Sequence, residues 1–302
     1  MLVAHTIMTL EQLRIFVAVA EREHLTQAAD GLALSPSAVS AAIRALEGRY
    51  GASLFDRVGR RIVLSETGRL FLPEARATLK AAASAELALS EIAGLKRGSL
   101  MVQASQTVAA YWLPPLLVAF HRQYPGIDLT LAIGNTATVA RAVRDGVADL
   151  GFIEGQIEEP LLASRMVAVD RLILLAAPGH DWVEGRPPVA ADLLAGRWIL
   201  REEGSGTRSA FEASLKADGI DTGALEVAMS LPSNEAVLTA LGSGAFVGVA
   251  SERAAATALL AGRLKAIDYV LRPRAFSMLW HRERHPSRAA RAFEGLLPTA
   301  MG

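Results

Sequence analysis

The sequence predicts three consecutive parts: a small, mostly helical winged helix-turn-helix over residues 1–65, a long linker helix and hinge over 66–98, and an α/β domain over 99–302. Three observations carry this. A Ser-Pro pair at Ser35-Pro36 separates two short helical segments, a heptad-spaced stretch follows Ser65, and beyond Ser99 apolar strand-like runs alternate with helical ones.

The first element is an amphipathic helix with Leu10, Leu13, Phe16, Val17 and Ala20 on one face. A second helix begins near Thr26 and Gln27, where small Ala28 and Ala29 let another helix cross closely. Ser35 supplies an N-cap oxygen, and Pro36 takes the first helical position, where a missing N–H costs nothing. Val39, Ile43 and Leu46 give the third helix a buried face and leave Ser37, Ser40, Ala41 and Arg44 on or near the outside. A helix presented this way suits the major groove of DNA, with Ser37, Ser40 and Arg44 as candidates to reach the bases. Strand-like segments around Leu54-Phe55 and Ile62–Leu64 then flank a glycine turn carrying Arg57, Arg60 and Arg61. Three cations at a turn suit a wing that follows phosphates.

These stretches, LEQLRIFVAVAE, LTQAADGLALSPSAVSAAIRALEGRYGASLFDR and GRRIVLSETGRLFL, resemble the LysR-type transcriptional regulators, and the resemblance runs to the C-terminus. It implies DNA-binding roles for Thr26, Gln27, Ser35, Pro36, Ser37, Ser40, Arg44, Arg57, Arg60 and Arg61. The family often carries Arg and Gln after the serine matching Ser40; Ala41 and Ala42 stand here, and alanine can meet a thymine methyl. Met8-Thr9-Leu10 resembles a usual family start, which implies that Met1–Ile7 is an extension.

Composition sets bounds. Lys+Arg and Asp+Glu are 31 each, so DNA affinity has to come from a local patch, and bases outnumber acids between Arg44 and Arg76. Cys is 0, which excludes disulfides and thiolate metal sites and suits the cytoplasm. No apolar run reaches the ~18 residues of a membrane span, and the start of the chain lacks the basic and apolar regions of an export signal.

In the linker helix, Leu72, Leu79 and Glu86 fall seven apart, as do Ala75, Ala82 and Leu89, and Pro73 interrupts. Such a seam suits a partner helix, and the resemblance implies a homodimer through it and, beyond that, a homotetramer as a dimer of dimers. Gly94, Gly98 and Ser99 mark the hinge.

Beyond it, LMVQA, IDLTLAI, ADLGFI, RLILLAA, RWILRE and FVGVAS read as strands. VAAYWLPPLLVAFHRQY, TATVARAVRDG, VAADLLA, TRSAFEASLKADG and SNEAVLTALGSG read as helices. This alternation predicts a mostly parallel sheet with a ligand at its carboxyl ends. The resemblance implies two periplasmic-binding-protein-like lobes, the first over 99–163 plus 269–302 and the second over 164–268. The loops at the strand ends are rich in donors: Ser105-Gln106-Thr107, Gly134-Asn135-Thr136, Gly204-Ser205-Gly206-Thr207 and Ser233-Asn234. Together they predict a site for a small anion at converging helix starts. Glu154, Arg201 and Glu202 fall beside it, and an acid there keeps a small carboxylate or amino acid open as the ligand.

ASQTVAAYWLPPLL, YPGIDLTLAIGNTATVARAVRDGVADLGFIEG and REEGSGTR further resemble the LysR branch associated with sulfur assimilation and sulfite response, which implies sulfite or sulfate as effector. The pattern calls for no cofactor and no metal: His281 and His285, four apart, precede Pro286 in a charged segment, and GSGT lacks the Lys of a phosphate-binding loop. An enzyme would need a convergent catalytic set, which is missing. An extracytoplasmic solute-binding protein would share the C-terminal architecture, but with an export signal and no winged helix.

Overall fold

Thr9 opens the first helix by a capping box: its hydroxyl accepts from the Gln12 N–H, and the Gln12 side chain accepts in return from the Thr9 N–H. Helices α1 (Leu10–Arg22), α2 (Leu25–Leu32) and α3 (Pro36–Tyr50) follow, then a hairpin of β1 (Phe55–Val58) and β2 (Arg61–Leu64), then α4 (Glu66–Ser90). The computed structural model describes residues 8–58, 61–90, 98–155 and 157–298. The expected Met1–Ile7 extension, Arg60 of the expected wing, Gly94 of the expected hinge and the side chains of Arg61, Glu86 and Leu89 lie outside the described residues.

This first unit is built around Phe16, which is fully buried with its ring 5.5 Å from Phe55 and 5.0 Å from Phe71. Leu13, Val19, Ala28, Ala29, Val39, Ile43 and Leu46 complete the core. Leu10, expected on the buried face, is exposed in the first turn, and Ile15 and Ala18 are buried instead. The seam on α4 also has another use. Ala75 is fully buried against this core and Leu72 and Leu79 pack beside it, so α1 of the same chain already covers that part of the heptad stripe. Pro73 sits well past the first turn, and the helix continues through it.

The second unit holds two sheets. The first lobe runs through β3 (Gly98–Ser105), α5 (Gln106–Tyr111), α6 (Pro114–Gln123), β4 (Ile127–Gly134), α7 (Thr136–Arg144), β5 (Leu150–Glu154) and β6 (Leu162–Asp170). Pro114 and Pro115 start a new helix, so the single apolar helix expected there is two. The second lobe comprises β7 (Leu172–Ala176), α8 (Asp181–Glu184), α9 (Ala190–Ala195), β8 (Arg197–Arg201), α10 (Gly206–Ala217), β9 (Glu226–Leu231), α11 (Asn234–Leu241), β10 (Val247–Ser251), α12 (Glu252–Leu260) and β11 (Lys265–Ile267). The chain then returns to the first lobe with β12 (Arg274–His281) and α13 (Arg288–Leu296).

Strand order is β4-β3-β5-β12-β6 in the first sheet and β11-β7-β10-β8-β9 in the second. Each has a core of three parallel strands and one strand, β12 or β7, that runs the other way and pairs antiparallel on both sides, so neither is parallel throughout. The topology also moves the lobe boundary. Residues 164–170 belong to β6 of the first sheet, and Tyr269 and Leu271 pack into the core of the second lobe. The crossings therefore lie at Asp170–Arg171 and between Leu271 and Arg274. β6 is an edge strand that pairs along all of β12, which keeps it in the first sheet. Trp198, fully buried against Phe211, anchors the second lobe; Phe120, Phe152, Phe276 and Phe293 anchor the first.

Candidate functional site

The DNA-facing candidates sit on the outer sides of α2 and α3. The Ser35 oxygen accepts from the Ala38 N–H at 3.2 Å and lies 3.0 Å from the Ser37 hydroxyl, which fixes where α3 begins. Thr26, Gln27, Ser35, Pro36, Ser37 and Arg44 are exposed, as is Arg57 on β1, and Ser40 is half-buried. The outer stripe of α3 is otherwise small, with Ala38, Ala41, Ala45 and Gly48 exposed. Arg44 Nη1 donates to Ser40 Oγ at 3.1 Å, so the one long side chain on this stripe is steered by the serine one turn earlier.

The second constellation joins the two lobes, and its centre is a carboxylate. Glu154 ends β5 at 2% exposure. Its Oε1 accepts from Ser105 Oγ and the Thr107 N–H, both at 3.1 Å, and its Oε2 accepts from Arg274 Nη1 at 2.8 Å and from Thr207 Oγ1 at 3.1 Å. Four donors fill the four lone-pair positions of a carboxylate. Burial pushes the Glu154 carboxyl up, but Arg274 and the Thr107, Ser105 and Thr207 donors outweigh it and hold the group below the usual carboxylate range. Arg274 is equally buried. Its Nε donates to Asp170 Oδ2 at 2.9 Å, and its Nη2 lies 2.8 Å from the same oxygen, off the N–H direction, as an ionic contact. Ser251 Oγ of the second lobe donates to Asp170 Oδ1 at 2.8 Å.

Around this hub runs a second ring. Arg201, at the end of β8, donates from Nε and Nη2 to Glu202 and from Nη1 to Asn234 Oδ1. Asn135 Nδ2 reaches across from the first lobe to Glu202 Oε1 at 3.2 Å, and Asn234 Nδ2 crosses back to Thr107 Oγ1 at 3.0 Å. Gln106 accepts from the Asn234 N–H and donates to Glu235, which also accepts from Tyr111 Oη. Burial first, then the Glu235 charge, pushes the Tyr111 phenol up to about 12. Burial raises the Glu202 carboxyl, but its bonds to Arg201 and Asn135 more than offset this and leave it lowered.

The strand-end residues expected to gather therefore do gather, but their donors meet acceptors of this chain. Ser105, the Thr107 amide and Thr207 serve Glu154; Thr136 Oγ1 donates to the Glu154 backbone oxygen at 3.2 Å. Ser205 and Ser233 act as N-caps, Ser205 toward the Thr207 N–H and Ser233 toward the Ala236 N–H. Gly204 has φ +82 and accepts from the Ala137 N–H of the first lobe. Gly206 brings α10 so close that a Cβ there would lie 2.6 Å from the Glu154 backbone oxygen and from Thr136 Oγ1. Gly134 ends β4 beside Ser105. Arg274, Asp170 and Ser251 were not anticipated. Arg274 stands in the apolar run PRAFSMLW, and a lone Arg entering a buried strand was the one signal available.

Residues 10–69 match the family described as "Bacterial regulatory helix-turn-helix protein, lysR family", and residues 93–302 match the "LysR substrate binding domain". The chain belongs to the LysR family of transcriptional regulators. As a LysR-type regulator it combines a DNA-binding head with an effector-binding domain. It is 38% identical over 288 residues to the "Uncharacterized HTH-type transcriptional regulator YeiE" of Escherichia coli (strain K12), covering 94% of this chain and 95% of that one. It is 33% identical over 296 residues to a "Probable RuBisCO transcriptional regulator" of Trichormus variabilis, covering 96% and 88%. In fold, this LysR protein is similar to a full-length OxyR variant of Pseudomonas aeruginosa, with TM-score 0.73, 21% identity and coverage of 97% and 95%. It is also similar to LysG of Corynebacterium glutamicum with bound effector Arg, with TM-score 0.64, 20% identity and coverage of 96% of each chain.

Proposed function

We propose that this LysR-type regulator is a cytoplasmic homo-oligomer, a dimer and further a tetramer, whose promoter binding is controlled by a small oxyanion held between the two lobes, with sulfite or sulfate as first choice. The observation that carries the reading is the hub itself: donors from both lobes converge on two oxygens of one carboxylate. Groups so arranged are complementary to a flat or tetrahedral oxyanion, and the Glu154 side chain stands where such a group belongs. An effector that exchanges with it changes how Thr207 of the second lobe is tied to the first. That biases one setting of the lobes by no more than the effector's difference in affinity between settings.

On the DNA side, Ser37, Ser40 and Arg44 would face bases, and Arg57, Arg60 and Arg61 phosphates. A dimer would read two half-sites about one helical turn apart, or a multiple of that. Mobility shift with promoter DNA, run with and without effector, tests both ends. A retarded band separates a regulator from a solute-binding protein, and light scattering showing a monomer at micromolar concentration would remove the dimer. The second reading is a small carboxylate or amino acid, favoured by Glu202 and Glu235, which offer acceptors for an ammonium group at the rim. Calorimetry that gave heat with a carboxylate or amino acid and none with sulfite or sulfate would promote it.

A further inference from the structure

The last carbonyls of a helix form a negative pole, which disfavours an acid beside them. Glu47 nevertheless stands in the last turn of α3, just before the left-handed cap at Gly51. What it holds explains it. The Glu47 carbonyl accepts the N–H groups of Gly51 and Ala52, and its Oε1 accepts those of Leu54 at 2.8 Å and Phe55 at 3.3 Å. One half-buried residue thus gathers every backbone N–H from Gly51 to Phe55 except that of Ser53. The bonds to its carboxylate are charge-assisted, the stronger kind.

The hairpin of β1 and β2 needs such a hold. A two-stranded sheet is marginal by itself, and of β1 only Phe55 is buried, with Asp56, Arg57 and Val58 exposed. From the other side, the Ser65 N–H donates to the Leu54 carbonyl at 3.0 Å, and Ser65 Oγ donates to the Ser53 carbonyl at 2.7 Å. Leu54 is therefore held at its N–H by α3 and at its carbonyl by the residue that precedes α4. Arg57 stands three residues further along the strand. Resting on the assignment of Arg57 to DNA phosphates above, we propose that Glu47 is a positioning residue for DNA binding. It touches no DNA itself, and its carboxylate fixes where the wing, and Arg57 with it, stands relative to the outer side of α3. Helix and wing then meet one duplex together, and the wing does not have to be ordered anew at each encounter.

A double-mutant cycle of Glu47→Met and Arg57→Ala tests this, with the full-length protein titrated against a mixed-sequence DNA duplex by fluorescence anisotropy over a series of salt concentrations. Methionine keeps the length of the stem and the helix propensity, and removes the acceptor. In wild type, Arg57→Ala should reduce the slope of log affinity against log salt by about one. In Glu47→Met, whose wing is already loose, the same change should reduce it by less than about 0.3. Glu47→Gln keeps an acceptor where Oε1 stands, so there Arg57→Ala should again cost about one. A loss of stability alone would weaken binding without altering what Arg57 contributes. Equal effects of Arg57→Ala in wild type and in Glu47→Met overturn the role of Glu47 and leave the wing reading standing. No change of slope on Arg57→Ala in wild type overturns both. If Glu47→Met does not fold, amide exchange of the wild-type protein decides: the Leu54 N–H should be protected, and exchange there at the rate of an open chain overturns the tie.

Discussion

Replacing Arg274 by Met keeps much of the side-chain volume and removes the only guanidinium that touches both Glu154 and Asp170 among the described residues. Glu154 keeps three neutral donors, and Asp170 keeps Ser251 and a longer contact of 3.6 Å to Arg253. Two charge-assisted bonds of about 1.5–3 kcal/mol each disappear, in line with the about 3–5 kcal/mol for breaking a buried pair. Protonation limits the penalty, since each unit by which a carboxyl rises relieves about 1.4 kcal/mol. For a domain of this size the loss is a fall in Tm of roughly 10 °C at neutral pH. The pH dependence should also reverse. In wild type the folded Glu154 pKa is depressed, so its contribution is present above the unfolded pKa and lost as pH falls through the folded one. In Arg274→Met burial dominates and raises the folded pKa, so the variant should be relatively more stable at pH 5 than at pH 8. Tryptophan fluorescence isolates the effect, because Trp112, Trp182, Trp198 and Trp280 all lie in the effector-binding domain. A variant that melts with wild type at pH 8, or loses more at pH 5 than at pH 8, would refute the reasoning.

Other outcomes follow from the same geometry. Ala33 has φ 55 in the turn between α2 and α3, where a Cβ is strained; Ala33→Gly should raise the stability of the DNA-binding head by about 0.5–1 kcal/mol, read by urea unfolding followed by circular dichroism. Gly206→Ala would place a methyl 2.6 Å from the Glu154 backbone oxygen. It should loosen the contact between the lobes, seen as faster amide exchange at Glu154 and Thr207, and unchanged exchange there would count against the close approach. Arg57→Ala should weaken binding to all DNA sequences and reduce the slope of log affinity against log salt by about one, in a titration by fluorescence anisotropy.

The parts that short-range pattern governs were readable. Ser35-Pro36 marked the start of α3, Val39, Ile43 and Leu46 lined its buried side, and the donor-rich strand ends met where an α/β topology sends them. What depended on distant partners was not. β9 is a largely exposed edge strand whose apolar residues follow no clean alternation, and β6 alternates too irregularly to distinguish from a connector. The heptad on α4 is genuine periodicity, yet periodicity does not say whose helix fills it, and α1 takes Leu72, Ala75 and Leu79. The charge hub was hidden most deeply. Glu154 and Arg274 are 120 positions apart, and nothing local tells an N-terminal donor loop that its acceptor comes from the same chain.

The order of strands has a consequence for how the protein is made. β12 lies between β5 and β6 in the first sheet, but the ribosome delivers it only after the whole second lobe. Until then β5 and β6 wait side by side with an empty lane between them, each offering a row of unpaired amides and carbonyls to any passing strand. The second lobe, an uninterrupted stretch of chain, can close first, and the first lobe is finished by a late insertion. Slow refolding from the fully unfolded state, and a tendency to aggregate when synthesis outruns that insertion, follow from this layout. Arg274, the residue at the head of the late strand, has to find Glu154 and Asp170 as β12 arrives, so a tie that forms late in synthesis is the one that locks the two lobes' shared hub.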